Sequence, residues 1–463
     1  MADTRAAGTP GEVSAVTAQL GRYMSEAALT KLPPDVAAKA GMHVLDTLGA
    51  MISGSRLDAG RAASAFAARF VSAGGATVVG APFLATLPEA ALANGMMGHA
   101  DETDDSHLGG RFHPGCGIVP AALALAEAEG RSGEDLLRAV VLGYDVGARV
   151  TMALGLRPPS QARHSTHSLG ATFGAAADAA LLLRPTPEQA RHVLSYAAQQ
   201  ASGVPFWQRD SRHVEKAFDF GGMGARNGVT AALLVASGCS AVDDPFAGAQ
   251  SLFTAFADEA SPGLLSDGLG SRFEIMAASL KKWSVGSPIQ SVLDAMQALV
   301  REHRLRPDDV TTITVHMPDD RLHIVDNRDM PDVCLQHLLA LMLQDGDVSF
   351  ATGHDYGRMS DPVLLAIRRR IRVVSSRALT EAMPARQSIV ELATADGRAL
   401  RYHARSVRGT PENPMSENEL VAKFLALAVP VIGEAKAERL VALSGAFGDL
   451  VSVTELRPLL QAA

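Results

Sequence analysis

The stretch His99-Ala100-Asp101-Glu102-Thr103-Asp104-Asp105-Ser106-His107 puts four acids and two histidines into nine residues. Apolar segments flank it on both sides, so it does not read as the solvated face of a helix. Gly109-Gly110 then calls for loop geometry, and Pro114 suits the first position of a following helix. His113 would therefore stand at a helix N-terminus, where unpaired N–H groups and the dipole favour an anion and lower the proton affinity of an imidazole. The chemistry this suggests is acid–base catalysis on an anionic substrate. Two other readings use the same residues. The acids could simply cap turns and helices, or the loop 99–113 could ligate a divalent ion in a metal-dependent hydrolase. No HExxH or comparable ligand spacing supports the metal.

Three later segments carry groups of the same kind. Arg163-His164-Ser165-Thr166-His167-Ser168 leads into a run of small residues, Gly174-Ala175-Ala176-Ala177. Glu215-Lys216 precedes Phe220-Gly221-Gly222, and Lys281-Lys282-Trp283 precedes Gln290. Taken singly, each has a plain structural explanation: a capping histidine, a surface lysine, a lysine stem lying along Trp283.

The elements that must position these groups are mostly helices. Aromatic residues make up only 5% of the 463-residue chain while Gly and Ala abound, so the core is expected from close approach of small-residue helix faces. Ser132 with Asp135 and Ser416 with Glu419 have capping-box spacing, and Thr186-Pro187-Glu188 reads as a helix start. From about 270 to 405 the texture changes. Ile313, Val315 and Met317 alternate against Thr312, Thr314 and His316 as in a half-buried strand, and Ala395-Asp396-Gly397-Arg398 separates two alternating runs as a hairpin turn does. The expected fold is mainly α: a large helical domain formed by both chain ends (1–268 and 409–463) around an inserted α+β domain (269–408).

Charge and cysteine content narrow the function. A net charge of −8 without a Lys/Arg stripe argues against nucleic acid, yet leaves room for a small anion held by a few local cations. Three scattered cysteines, Cys116, Cys239 and Cys334, offer no disulfide framework and fit a reducing cytoplasm. The first twelve residues lack the apolar core of a signal peptide, and no apolar run is long enough for a membrane span. No Gly-rich phosphate loop follows a strand, so no nucleotide cofactor is expected.

Together these segments resemble the MmgE/PrpD family in order and approximate spacing along nearly the whole chain. Its members include 2-methylcitrate dehydratase, cis-aconitate decarboxylase and iminodisuccinate epimerase. The matching pieces are the acidic run to Asp105, His113-Pro114-Gly115, Leu142-Gly143-Tyr144-Asp145, the His164 turn, Lys216, Lys281 with Trp283, and Asn413-Pro414-Met415-Ser416. The resemblance implies a helical domain with a smaller α+β lid, a homodimer, a site between the domains and no organic cofactor. It places catalytic roles on His113, His164, Lys216 and Lys281, with Glu102 where an Asp is more usual and Ser106 where a Thr is. Asp104, Asp105, His99, His167 and Gln290 follow as substrate-binding candidates. His167 competes with His164 for the second histidine role, because one residue is inserted before the Gly-Ala-Ala helix. Gln290 and Asp219 stand where many members have His.

Removing a proton next to a carboxylate puts charge on a group already negative, so such a site needs a base near the carbon and cations aimed at the carboxylate. Histidines supply the first and lysines the second. The expected activity is that of a hydro-lyase on a small di- or tricarboxylate, with epimerisation or decarboxylation as the alternatives on the same architecture.

Overall fold

The structure, a computed structural model, describes residues 13–155, 163–382 and 386–462. The reading of residues 1–12 as a frayed start lies outside them. Helices account for 59% of the structure and the sheets are small.

The starts read from sequence are made as the spacing dictates. Ser132 Oγ accepts from the Asp135 N–H at 3.2 Å and opens the helix Gly133–Ala153. Thr186 and Ser416 form capping boxes with Gln189 and Glu419, opening Pro187–Gln199 and Glu417–Ile432. Two separate apolar cores result. One runs from Leu20 to Leu280 and resumes from Met415 to Leu460, and the other lies between Trp283 and Ala404. The first core changes to the second between Leu280 and Trp283, later than the change of sequence texture at 268/269.

In the first core, Gly and Ala let helices meet at backbone distance. A Cβ built on Gly221 would lie 2.2 Å from the Gly95 carbonyl oxygen, so only glycine allows this contact. That contact seats a single π turn, Phe218–Gly222, against the helix Leu87–Gly98. Lys216, just before the turn, is thereby brought to the acidic loop just after the helix.

The second core is built on a four-stranded sheet in the order Ile371–Ser376, Val310–Pro318, Ser388–Thr394, Ala399–Ala404. The first pair is parallel and the others antiparallel. Ile313, Val315 and Met317 are wholly buried, as their alternation predicts, and Gly397 takes φ +85° in the hairpin turn. Helices Gln290–His303 and Leu335–Asp345 contribute their apolar faces to the same core. Among the described residues no helix is long and apolar enough to cross a membrane.

Candidate active site

The acidic loop is buried almost completely: Thr103, Asp104 and Asp105 have no exposure, and Glu102 only 5%. Buried charges need partners, and each acid here has its own set. Asp105 belongs to the scaffold. Its carboxylate accepts from Tyr144 Oη at 2.6 Å and from the Gly115 N–H at 2.8 Å, and lies 2.7 Å from His43 Nδ1. It thus ties the loop to the N-terminus of the helix Pro114–Ala128, whose first residue is Pro114 and whose cap is His113. Lys423, from the C-terminal return of the chain, holds the loop from another side by bonding Asp46 at 2.7 Å and the Thr103 carbonyl at 2.9 Å.

Asp104 lies between two imidazoles, 2.9 Å from His99 Nδ1 and 3.2 Å from His113 Nδ1. A carboxylate held well below its usual range accepts, so each Nδ1 donates. Burial opposes ionisation of Asp104, but His99, His113 and Lys281 outweigh it. For His113, burial is the main cause of a pKa pushed down to about 4; Asp104 works against that and Lys281 adds to it. His113 is therefore neutral near pH 7, with its free nitrogen on the side away from Asp104.

Glu102 is the counter-ion of both lysines. Its Oε1 pairs with Lys216 Nζ, and its Oε2 lies 3.1 Å from Lys281 Nζ, which also bonds the Glu102 carbonyl at 2.9 Å. Burial would raise the Glu102 pKa, yet Lys216 and Lys281 hold it well below the carboxylate range. Lys281 is 3.6 Å from Asp104 as well, which joins the two acid centres.

Two adjoining cavities, about 430 Å³ and about 150 Å³, share His113, His167, Trp207, Arg321 and Arg386 as walls. Glu102 and Lys216 line the smaller, Ser106 and His164 the larger. His167 stacks on Phe220 at 3.6 Å between ring centres and lies 5.4 Å from the His113 ring. His164 sits farther out, with its ring edge against Phe256 at 5.5 Å. The structure thus gathers His99, Glu102, Asp104, His113, His167, Lys216 and Lys281 into one cluster and puts Ser106 and His164 on the outer wall. Gln290 is elsewhere. Its amide donates to the carbonyls of Trp283 and Val285 at 2.8 and 2.9 Å and accepts from the Trp283 N–H, fixing the loop that carries Lys281. Asp219 accepts from Ser165 Oγ at 2.5 Å and so anchors the His164 turn.

Sequence reasoning missed several residues. His213 is held at φ +58° with both ring nitrogens buried and unpartnered among the described residues, 5.1 Å from the His99 ring. Its proximity to Lys216 in the chain was the only available signal. His354, from the second core, forms an ion pair at 3.0 Å with Asp101 of the acidic loop. Burial alone would lower the His354 pKa, but Asp101 overrides it and holds the group at about 9. An imidazole raised from about 6.5 in the unfolded chain contributes stability that is complete below pH about 6.5 and is lost as pH rises through about 9. The gap in melting temperature between wild type and His354→Gln should accordingly be widest near pH 6 and close above pH 9. A gap that widened with pH would contradict this pairing.

Two residue sets, His99/Glu102/His213 and His99/Asp104/His113, are close enough to share a cation. The lysines weigh against one. Two ammonium groups already sit on Glu102, one of them 3.6 Å from Asp104, so a divalent ion would have to enter against like charge.

A mainly helical protein with a buried imidazole–carboxylate–ammonium cluster, beside cavities lined in part by a small α+β segment, is the class that this fold and site define. The chain belongs to the MmgE/PrpD family: residues 18–265 match the MmgE/PrpD N-terminal domain and residues 283–446 the C-terminal domain. It is similar to human cis-aconitate decarboxylase, 26% identical over 445 residues, which is 90% of this chain and 89% of that protein. The mouse cis-aconitate decarboxylase is 23% identical over 90% of the chain and 88% of its own length. A cis-aconitate decarboxylase-like protein of Aspergillus oryzae, oryM, is 27% identical over 305 residues, and the match spans 62% of each chain.

Proposed function

We propose that this protein is a cofactor-independent lyase that moves a proton at the carbon next to a carboxylate of a small di- or tricarboxylate, with the segment between the two halves of the helical core acting as a lid. The observation that carries this is the Asp104–His113 pair at 3.2 Å, which leaves a neutral imidazole with a free nitrogen beside the cavities. A neutral imidazole can take a proton at once, and its conjugate acid can return it to the product or a leaving hydroxyl. Lys216 lines the smaller cavity, where its ammonium can stabilise charge developing on the carboxylate next to the reacting carbon. Glu102 keeps that ammonium charged and in place. His167 is the second imidazole within reach, with His164 behind it.

Loss of a β-hydroxyl makes the reaction a dehydration. Loss of CO₂, with reprotonation of the carbanion, makes it a decarboxylation. The names of the relatives favour the second reading. The two are separated by incubating the protein with citrate, 2-methylcitrate and cis-aconitate in D₂O containing EDTA. Dehydration should yield an alkene from a hydroxy acid, whereas decarboxylation should release CO₂ from cis-aconitate and leave one solvent deuteron bound to carbon in the remaining dicarboxylate. Turnover should persist in the chelator. No turnover and no deuterium incorporation with any member of the panel would rule out the lyase reading. Restoration by one divalent ion would overturn cofactor independence. A cytoplasmic homodimer goes with this proposal, and sedimentation velocity tests the dimer.

A further inference from the structure

The inner cluster of the site is electrically balanced. Glu102 and Asp104 carry one negative charge each and Lys216 and Lys281 one positive charge each, while His113 is neutral. A substrate with two or three carboxylates therefore needs positive charge from somewhere else. Arg321 and Arg386, both from the α+β segment, line both cavities together with His113 and His167. Each has a buried Nε with no hydrogen-bond partner among the described residues. Asp320 acts on Arg321 and Glu102 on Arg386 through space, but no acid at this wall bonds either Nε. Asp320 lies no nearer than 3.7 Å from its neighbour Arg321, leaving that Nε unbonded, and Asp210 spends its oxygens on the backbone N–H groups of Arg212 and Lys216. Burial, and then the charge of Arg321, lower the proton affinity of Arg386 to about 9, and burial followed by Arg321 also lowers that of Arg111 across the cavity. Burial is the larger cause at each, and Glu102 and Asp320 act in the opposite direction, so it is the unbonded N–H groups that mark a place for an anion. A planar donor fork with unused N–H groups is matched by a carboxylate.

Resting on the lyase reading above, we infer that Arg321 and Arg386 form the receptor for the substrate carboxylate remote from the reacting carbon. They bind it from the lid and so select tricarboxylates over acids that lack this terminal carboxylate. A carboxylate bridging from Lys216 to these arginines would also hold the lid against the helical core, since the two ends of the bridge lie on different cores.

Calorimetric titration with tricarballylate and with 2-methylsuccinate, which differ by one terminal carboxylate, tests the assignment without needing turnover. Wild type should bind tricarballylate the more tightly. Arg321→Met and Arg386→Met should each weaken tricarballylate by roughly 10- to 100-fold, the range of a charge-assisted hydrogen bond, while 2-methylsuccinate stays within about threefold. Arg386→Lys should recover part of the loss, and Arg377→Met, on the exposed side of the same segment, should change neither ligand. An equal loss for both ligands, or no loss, would remove the assignment whether or not the enzyme turns over. Selective loss in a protein that releases no CO₂ and exchanges no deuterium would keep the arginine receptor and discard the lyase reading instead. Failure of wild type to bind tricarballylate would overturn both.

Discussion

His113→Ala should lower kcat by a factor of roughly 10² to 10⁴ with the fold intact, the scale of a lost general acid or base. The ring lies buried among His99, His167 and Phe220, but it is not what places its helix. It stands at the cap of the helix Pro114–Ala128, and the position of that helix is secured independently by Asp105 on the Gly115 N–H at 2.8 Å. Circular dichroism and the melting temperature should thus change little while turnover falls. The pH profile supplies a second check. With the free pKa pushed down to about 4, the base form should dominate through neutrality, and kcat/KM should fall only as pH drops toward that value. Asp104→Asn should move the acid limb of this profile, because it removes the charge that counters burial and Lys281. If His113→Ala retained kcat within a few-fold of wild type, His113 would be a helix cap and another group, with His167 next in line, would have to carry the proton.

Glu102→Gln should destabilise the fold by about 3–5 kcal/mol, the usual cost of leaving a buried charge without its partner. Lys281 has only 2% exposure, and without Glu102 its nearest carboxylate is Asp104 at 3.6 Å. Lys216 loses its ion pair outright. The comparison with Lys282 shows why location decides the magnitude. Its ammonium lies 3.6 Å from Asp294 and 4.4 Å from the Trp283 ring centre, but the side chain is a quarter exposed, so Lys282→Met should cost no more than about 1 kcal/mol. Urea denaturation of the two variants measures the difference directly. Adding Lys281→Met to Glu102→Gln should return part of the loss, since the unpaired charge is then gone. A Glu102→Gln protein within 1 kcal/mol of wild type would mean that the lysines do not depend on this carboxylate.

Much of the scaffold follows from local sequence rules. Capping spacing at Ser132, Thr186 and Ser416 marks where helices begin, because the side chain itself supplies the missing acceptor. Alternation from Val310 to Met317 identifies a half-buried strand, because period two sorts side chains to opposite faces. The density of acids and imidazoles at 99–113 likewise singles out the loop around which the cluster forms. Pairings within that cluster were beyond such rules. Asp104 and Asp105 are adjacent in the chain, yet one faces His99 and His113 while the other is consumed by His43, Tyr144 and a helix N-terminus. Gln290 reads as a site residue from its position after Lys281, but its amide is spent on loop carbonyls. Arg321, Arg386 and His354 have no motif around them; His354 pairs with the acidic loop, and the arginines share a cavity wall with it, only through the tertiary fold. Sequence periodicity determines which face of an element is buried. The partner of a buried charge is set by which backbones approach closely, as Gly95 and Gly221 do, and that was decided only when the helices packed.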